Sequence, residues 1–543
     1  MINRPVRKRR FLRIFIIDLF GNYFSAQFIS PCEASILIQL FFKTITKKSM
    51  IKGIIKITTV FFCCGVFLSC LSQAQKPQDA DDSRDKIEKL QFIENTGLSS
   101  VYVTVLDGSE FTDTTNWKPS TLKILDENGD VAFEQTEILA KGRGNSSFTM
   151  MGEKKAMSIK LLEKQEILGM KKHKRWVLVP NASDKSLVRN LYAYYLGNHV
   201  FNSQWCPSFV PVNLFYNGKY WGVYILGEQI KINKNRVDIQ DISDITEDLD
   251  GDEVLNLSDG GFICEQNMRM DEAFNFTTKK GLQISLKNPD EVSKDIQNRV
   301  QSVIQEVEDA IFSENFKDED EGYKKYLDVD SFVDWYIVSE FSKNPDSVDH
   351  GSVYMYYNPK DKKLYMGPLW DFDLAFGNEN YLDTYNPEGS FIYIKKEDNS
   401  SGASDSESET NPQVGFGWGG FGGWQWGGLG SSSGHLWFNS LMSDEKFYEK
   451  VVERWNERKG LLEESISSVL PQMTCDLEKG AYYNFKRWDV LGKAVFTTGG
   501  GMWGNMIYDA PGYENRKTYK SEVDYLLSWC RTRYEWMDSF LNK

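Results

Sequence analysis

Residues 340–377, EFSKNPDSVDHGSVYMYYNPKDKKLYMGPLWDFDLAFG, carry two acidic nodes, Asn344-Pro345-Asp346 and Trp370-Asp371-Phe372-Asp373. The chain between them is patterned as a hairpin. VYMYY is β-branched and aromatic, NPKDKK has turn chemistry, and KLYMGPLW returns as a strand. A hairpin folds the chain back on itself, so both nodes are expected at the same end of it. Carboxylates and an amide meeting there suit a divalent cation on a nucleotide, because Mg²⁺ wants hard oxygen ligands and keeps water and phosphate in its shell. The plainer alternative is that Asp346 caps a turn while Asp371 and Asp373 are surface acids at a strand end. Spacing alone leaves both readings open.

The chain has 543 residues, more than one ordinary core holds, so two lobes with accessories are expected. Fifteen tryptophans and 14% aromatics supply a packed interior. A net charge of −14 argues against a nucleic-acid partner. The cysteines show no zinc spacing, and Cys206, Cys264, Cys475 and Cys530 are too widely spread to fix a disulfide pairing.

Residues 1–49 read as a non-structured or misassigned extension, basic and then patchily apolar, with Asp18, Asn22 and Pro31 breaking the runs. From Met50 the order is that of an export signal over 50–74: Lys52 and Lys56, an apolar run from Ile57 to Leu68, then Ser69-Cys70. FLSC is similar to a bacterial lipobox, which makes Cys70 the expected lipid anchor to a membrane in the cell envelope. Cleavage after Ala74 is the secreted, soluble alternative. Residues 75–96 are polar and acidic, an expected tether.

Over 97–235 the pattern is β-rich. SSVYVTVLDG, STLKILDENGDVAFEQTEILAKGRG, KKAMSIKLLE and HKRWVLVPN alternate as antiparallel strands. DKSLVRNLYAYYLGNHV predicts one helix capped by Ser183 or Asp184, and FVPVNLFYNGKYWGVYILGEQI a hairpin turning at Asn217-Gly218. Over 236–543 the pattern is mainly helical. VSKDIQNRVQSVIQEVEDAIF and DSFVDWYIVSEFSK are amphipathic at helical spacing, and two further helical stretches close the chain. In SEVDYLLSWCRTRYEWMDSFL the repeat places Cys530 on the core face. The insert 397–434 is Gly/Ser-rich with interleaved Trp and Phe, and reads as a mobile flap.

Four blocks in order resemble the spore coat protein H (CotH) kinase family of atypical, protein-kinase-like phosphotransferases. They are KGRGNSSF with KKAMSIKL, RWVLVPNASDKSLVRNLYAYYL, NGKYWGVYILGEQIKINKNRVDI, and the acidic pair N-x-D with W-D-F-D. The likeness runs from about residue 98 to 540, interrupted by the insert. It implies an α+β, two-lobed protein-kinase-like fold, with a β-rich N-lobe carrying one helix and a mainly helical C-lobe. It also implies transfer of phosphate from ATP, with Mg²⁺ or Mn²⁺, to Ser or Thr hydroxyls of a protein acceptor.

Carried over residue by residue, the resemblance gives Asp346 the catalytic place, orienting the acceptor hydroxyl, taking its proton or binding metal. Asn344 would hold that loop or touch the metal. Asp371 and Asp373 become the metal ligands, with Asp373 favoured on the inner face of a strand. Lys160 is the expected phosphate lysine, although it lies one strand earlier than kinases place it, with Glu163 or Asp184 as partner. Arg143 and Gly144 belong to a phosphate-covering loop. Glu228 falls at a hinge beside the adenine, or forms an ion pair with Arg189 or Arg236. Alternatives of other classes are a catalytically inactive kinase-like envelope protein that binds a partner protein or glycan, and a coat-assembly factor.

Overall fold

A computed structural model describes residues 84–144, 148, 152–247, 257–290, 292–348, 351–393, 435–495, 497 and 507–543. The expected signal, the Cys70 anchor and the 397–434 insert lie outside the described residues. Among the described residues no helix is long and apolar enough to cross a membrane.

The chain is ordered earlier than expected. Helix α1 (Arg84–Glu88) buries Ile87, and Arg487 reaches back to Glu88 at 3.0 Å, so the second part of the expected tether is packed against the fold. Seven strands follow: β1 (Ser99–Val105), β2 (Lys118–Leu125), β3 (Val131–Arg143), β4 (Ala156–Ile167), β5 (Met170–Val179), β6 (Phe209–Tyr216) and β7 (Lys219–Glu228). They close into a barrel in the order β1-β2-β3-β4-β5-β7-β6. Every pair is antiparallel except the closing one between β1 and β6. The period-two pattern dictates which side chains fill it: Val101 and Val103, Leu122 and Ile124, Ile159 and Leu161, Trp176 and Leu178 all point inward. Each such side chain contributes about 1.5–3 kcal/mol of burial.

Between β5 and β6 the expected helix is shorter and differently capped. Helix α2 (Arg189–Tyr195) begins after Val188, which makes no side-chain cap. Leu187 at φ 62 takes the left-handed conformation, so Ser183 and Asp184 lie outside the helix; Asp184 still caps it from there, its carboxylate accepting from the Arg189 N–H at 2.8 Å, while Ser183 turns to another contact. A π-turn, Leu196–Val200, extends α2.

The second half is helical, as patterned, but it also builds a sheet the pattern did not show. After α3 (Ile242–Glu247) come β8 (Phe262–Gln266), β9 (Asn275–Thr277) and β10 (Gln283–Asn288), then α4 (Lys294–Ile311) and α5 (Val329–Ser342). The expected hairpin is β11 (Val353–Asn358) with β12 (Lys363–Met366). Tyr356 faces Tyr365 across it, rings 4.8 Å apart. It joins the others in the order β12-β11-β8-β10-β9. Helix α5 is not amphipathic: every residue from Ser331 to Ser342 is buried. Helices α6 (Leu436–Leu441), α7 (Glu445–Glu464), α8 (Leu470–Arg487) and α9 (Tyr519–Leu541) complete the chain. Cys530 is fully buried on α9, and the four described cysteines are free thiols.

The outer face of β5 meets the second sheet. Val177 packs with Ile263 of β8, Tyr354 of β11 and Trp370, and this apolar contact forms the floor between barrel and helical part.

Candidate active site

The first acidic node is set by the way α5 stops. Lys343 at φ 45 turns the chain left-handed, its ammonium donating to the carbonyls of Asn386 and Glu388 at 2.8 and 2.7 Å. Pro345 has no N–H to continue the helix. A single tight turn, Pro345–Ser347, follows, with the Asn344 side chain accepting from the Asp346 N–H at 3.3 Å. The other end of the same amide donates to the Asp371 carbonyl at 3.0 Å. Asn344 therefore ties the two acidic nodes to each other.

The second node is not the strand end expected. Strand β12 finishes at Met366, because Gly367 sits at φ +118 and Pro368 cannot donate to a ladder. Asp371 itself takes φ 62, so strand alternation does not govern where Asp371 and Asp373 point. The loop is instead tied to the segment preceding and opening α2. Ser183 donates to an Asp373 carboxylate oxygen at 2.6 Å. Asn190 accepts from the Phe372 N–H at 2.7 Å, and Arg189 donates to the Ala375 carbonyl at 3.1 Å. Asn378 clamps the carbonyls of Ser183 and Asp373 at 3.1 and 2.7 Å.

These ties press three carboxyls together, all half-buried. Asp371 acts on both Asp346 and Asp373, close enough for the charge of one to oppose ionisation of the others. Desolvation, then repulsion from Asp371, pushes Asp346 up to about 8. Desolvation also raises Asp371, against the pull of the Arg143 and Arg269 guanidinium groups. Asp373 is raised furthest, by desolvation and then by Asp371, with Ser183 opposing. The cluster is short of positive charge.

The barrel supplies cations from one face. On β3, Ile138 and Ala140 point inward, so Lys141 and Arg143 point out; on β4, Lys160 does the same. The Arg143 guanidinium lies over the Trp370 ring at 5.2 Å, which places it beside Asp371. Lys160 stands opposite Leu139 and Arg175, whereas Arg143 stands opposite Ala156. Lys160 lies four residue steps along β4 from Ala156, about 13 Å. Arg143 is thus the cation next to the carboxyls, and Lys160 lies further along the same face. Neither expected partner serves Lys160: Glu163 is exposed, and Asp184 is paired with Arg189 at 2.5 Å.

Gly144 has φ +87 at the end of β3, while the glycine that close packing demands is Gly142, whose added Cβ would meet Phe148 at 2.3 Å and the Asp113 carbonyl at 2.5 Å. Glu228 is buried in an ion pair with Arg236 at 2.5 Å and accepts from the Ser208 N–H at 2.9 Å. Its carboxyl is spent there, at the mouth of the barrel.

Ser183, Asn378, Glu379 and Arg269 were missed. Glu379 is buried, and desolvation with repulsion from Asp509 and Asp373 holds its carboxyl well above the usual range. A polar side chain repeated near an acidic node is the signal for Asn378 and Glu379; Ser183 and Arg269 are distant in sequence and give none.

Among the described residues no group of three or more His, Cys, Asp or Glu is arranged to hold a metal ion by itself. The donor set nevertheless fits a hard divalent cation whose shell is completed by water and phosphate. It offers carboxylate oxygens, crowding that a cation would relieve, and partial access from the cleft. Asp371 and Asp373 would hold it.

The barrel thus sets Lys141, Arg143 and Lys160 on its outer face, and the helical part presents the clustered aspartates. The family model described as CotH kinase protein matches residues 140–537, and the chain belongs to that family. It is by that membership a kinase-type protein. No curated protein matches the chain in sequence.

Proposed function

We propose that this protein is an ATP-dependent phosphotransferase with a protein-kinase-like division of labour, the barrel covering the nucleotide and the helical part presenting metal and acceptor. The observation that supports it most is the meeting of Asp346, Asp371 and Asp373 below Arg143. Phosphoryl transfer needs positioning and charge neutralisation more than covalent chemistry. A divalent cation on Asp371 and Asp373 would offset the charge of the phosphates. Asp346 then accepts the proton of a Ser or Thr hydroxyl on a protein acceptor; a carboxyl of raised basicity suits that task near neutral pH. Arg143 steadies a phosphate, and Lys160 meets the nucleotide further along the same face. An envelope setting through a Cys70 lipid anchor belongs to this proposal.

Calorimetric titration of ATP with Mn²⁺ tests it, on the wild type and Asp373→Ala, alongside transfer to casein by the wild type and Asp346→Asn. Binding lost in Asp373→Ala and transfer lost in Asp346→Asn are expected. A wild type that binds no Mn²⁺–ATP refutes the proposal.

A further inference from the structure

Arg269 sits in the turn that follows β8. The turn continues β8 past Gln266 and is fixed by Asn267, which is buried. The Asn267 side chain accepts from the Arg269 N–H at 3.0 Å and donates to Asp271 at 2.8 Å, and its N–H donates to the Gln283 carbonyl at 2.8 Å. A rigid mount thus carries an exposed arginine. Among the described residues its guanidinium enters no ion pair. Its location is set by the register of the second sheet: Gln266 lies opposite Val353, the first residue of β11. Ser352, the residue before, donates its N–H to Glu265 at 2.9 Å, and Gly351 donates its N–H to the Asp346 carbonyl at 3.4 Å. The turn therefore stands at the sheet end where Asp346 lies. Arg143 comes to Asp371 from a different element, strand β3 of the barrel, over the Trp370 ring.

We infer that Arg269 is a catalytic residue of the proposed phosphotransferase, its guanidinium binding the non-bridging oxygens of the γ-phosphoryl group while Arg143 binds from the barrel side. The inference rests on the proposed function. In the step, the bond from the γ-phosphorus to the β–γ bridging oxygen breaks and a bond to the acceptor oxygen forms. The acceptor proton goes to the Asp346 carboxylate, and ADP leaves. Arginine suits the role because its planar fork pairs two phosphate oxygens at once, which a lysine cannot. Arg269 is exposed and, among the described residues, enters no ion pair, so its guanidinium is open to a phosphate.

The test uses the full chain, with ATP or ADP and Mn²⁺ as probes and casein as acceptor. Arg269→Ala is expected to lower kcat about 100- to 1,000-fold, the usual loss for one transition-state donor. It should also shrink the preference for Mn²⁺–ATP over Mn²⁺–ADP in calorimetry, leave ADP affinity and the melting temperature unchanged, and be rescued only in part by Arg269→Lys. Arg269→Ala with kcat within threefold of wild type overturns the inference while leaving the phosphotransferase reading in place. So does a lower kcat with the ATP-to-ADP preference intact, since Arg269 would then act through Asp346. A wild type inactive on casein and itself overturns both.

Discussion

Replacing Ser183 with alanine isolates the support given to one carboxyl. The Ser183 hydroxyl is buried and donates to Asp373 at 2.6 Å, fixing this carboxyl's orientation from the segment before α2. A hydrogen bond to a charged group is worth about 1.5–3 kcal/mol. If that energy serves to hold Asp373 ready for a cation, its loss weakens metal–nucleotide binding by about 10- to 150-fold at 1.4 kcal/mol per decade. Loss of an outer partner of a metal ligand ordinarily costs about 10- to 100-fold, which agrees. The alternative is that Ser183 only stabilises the fold, in which case the same energy appears in unfolding and the affinity stays. Calorimetry with Mn²⁺–ATP beside urea unfolding separates the two. Affinity within twofold of wild type in a Ser183→Ala protein that has lost about 1.5–3 kcal/mol of stability refutes the reasoning.

Arg533→Met strips the buried Glu340 carboxylate of a partner at 2.7 Å and frees the carbonyls of Pro387 and Gly389, so urea unfolding should show a loss of about 3–5 kcal/mol. Gly377→Ala forces a Cβ to within 2.4 Å of the Trp529 ring at φ +74. The left-handed backbone costs about 1–2 kcal/mol and the clash about 1–3 kcal/mol. Mn²⁺–ATP affinity should fall with stability, because the glycine closes the Asp371 loop; unchanged melting and binding would contradict this. Glu379→Gln tests a protonated carboxyl: its folded pKa lies above its unfolded value near 4.3, so the wild type loses stability as pH rises from there. Glutamine carries no such slope, and urea unfolding across pH 5–8 should show the variant gaining on the wild type; parallel curves would rule out the assignment.

Barrel strands and the β11–β12 hairpin were legible because a half-buried strand writes its face into alternate residues, and because Asn217-Gly218 and NPKDKK carry turn chemistry. Strand β8 was not legible, since all five of its residues are buried and it lacks a polar face to alternate with. Strand β9, at three residues, is too short to show a period. The start of α2 falls later than the capping chemistry suggests because Ser183 is taken by Asp373 and Leu187 turns left-handed, while Asp184 reaches the Arg189 N–H from outside the helix and pairs with the Arg189 guanidinium. The acidic residues themselves were legible from spacing, whereas their order along a strand was not, because Gly367-Pro368 ends the ladder first.

Asn344 explains why the two nodes are spaced as they are. An amide that accepts from the Asp346 N–H and donates to the Asp371 carbonyl fixes the two nodes relative to each other with no charge of its own. A carboxylate in its place could accept but not donate, and would add a further negative charge to a cluster already short of cations. The Asn344 Oδ1 keeps a second lone pair beside the one that takes the Asp346 N–H, so holding the nodes together leaves that oxygen able to meet a cation as well. The hairpin that separates the nodes in sequence turns the chain back between them, and the Asn344 amide holds the two nodes together where its ends return.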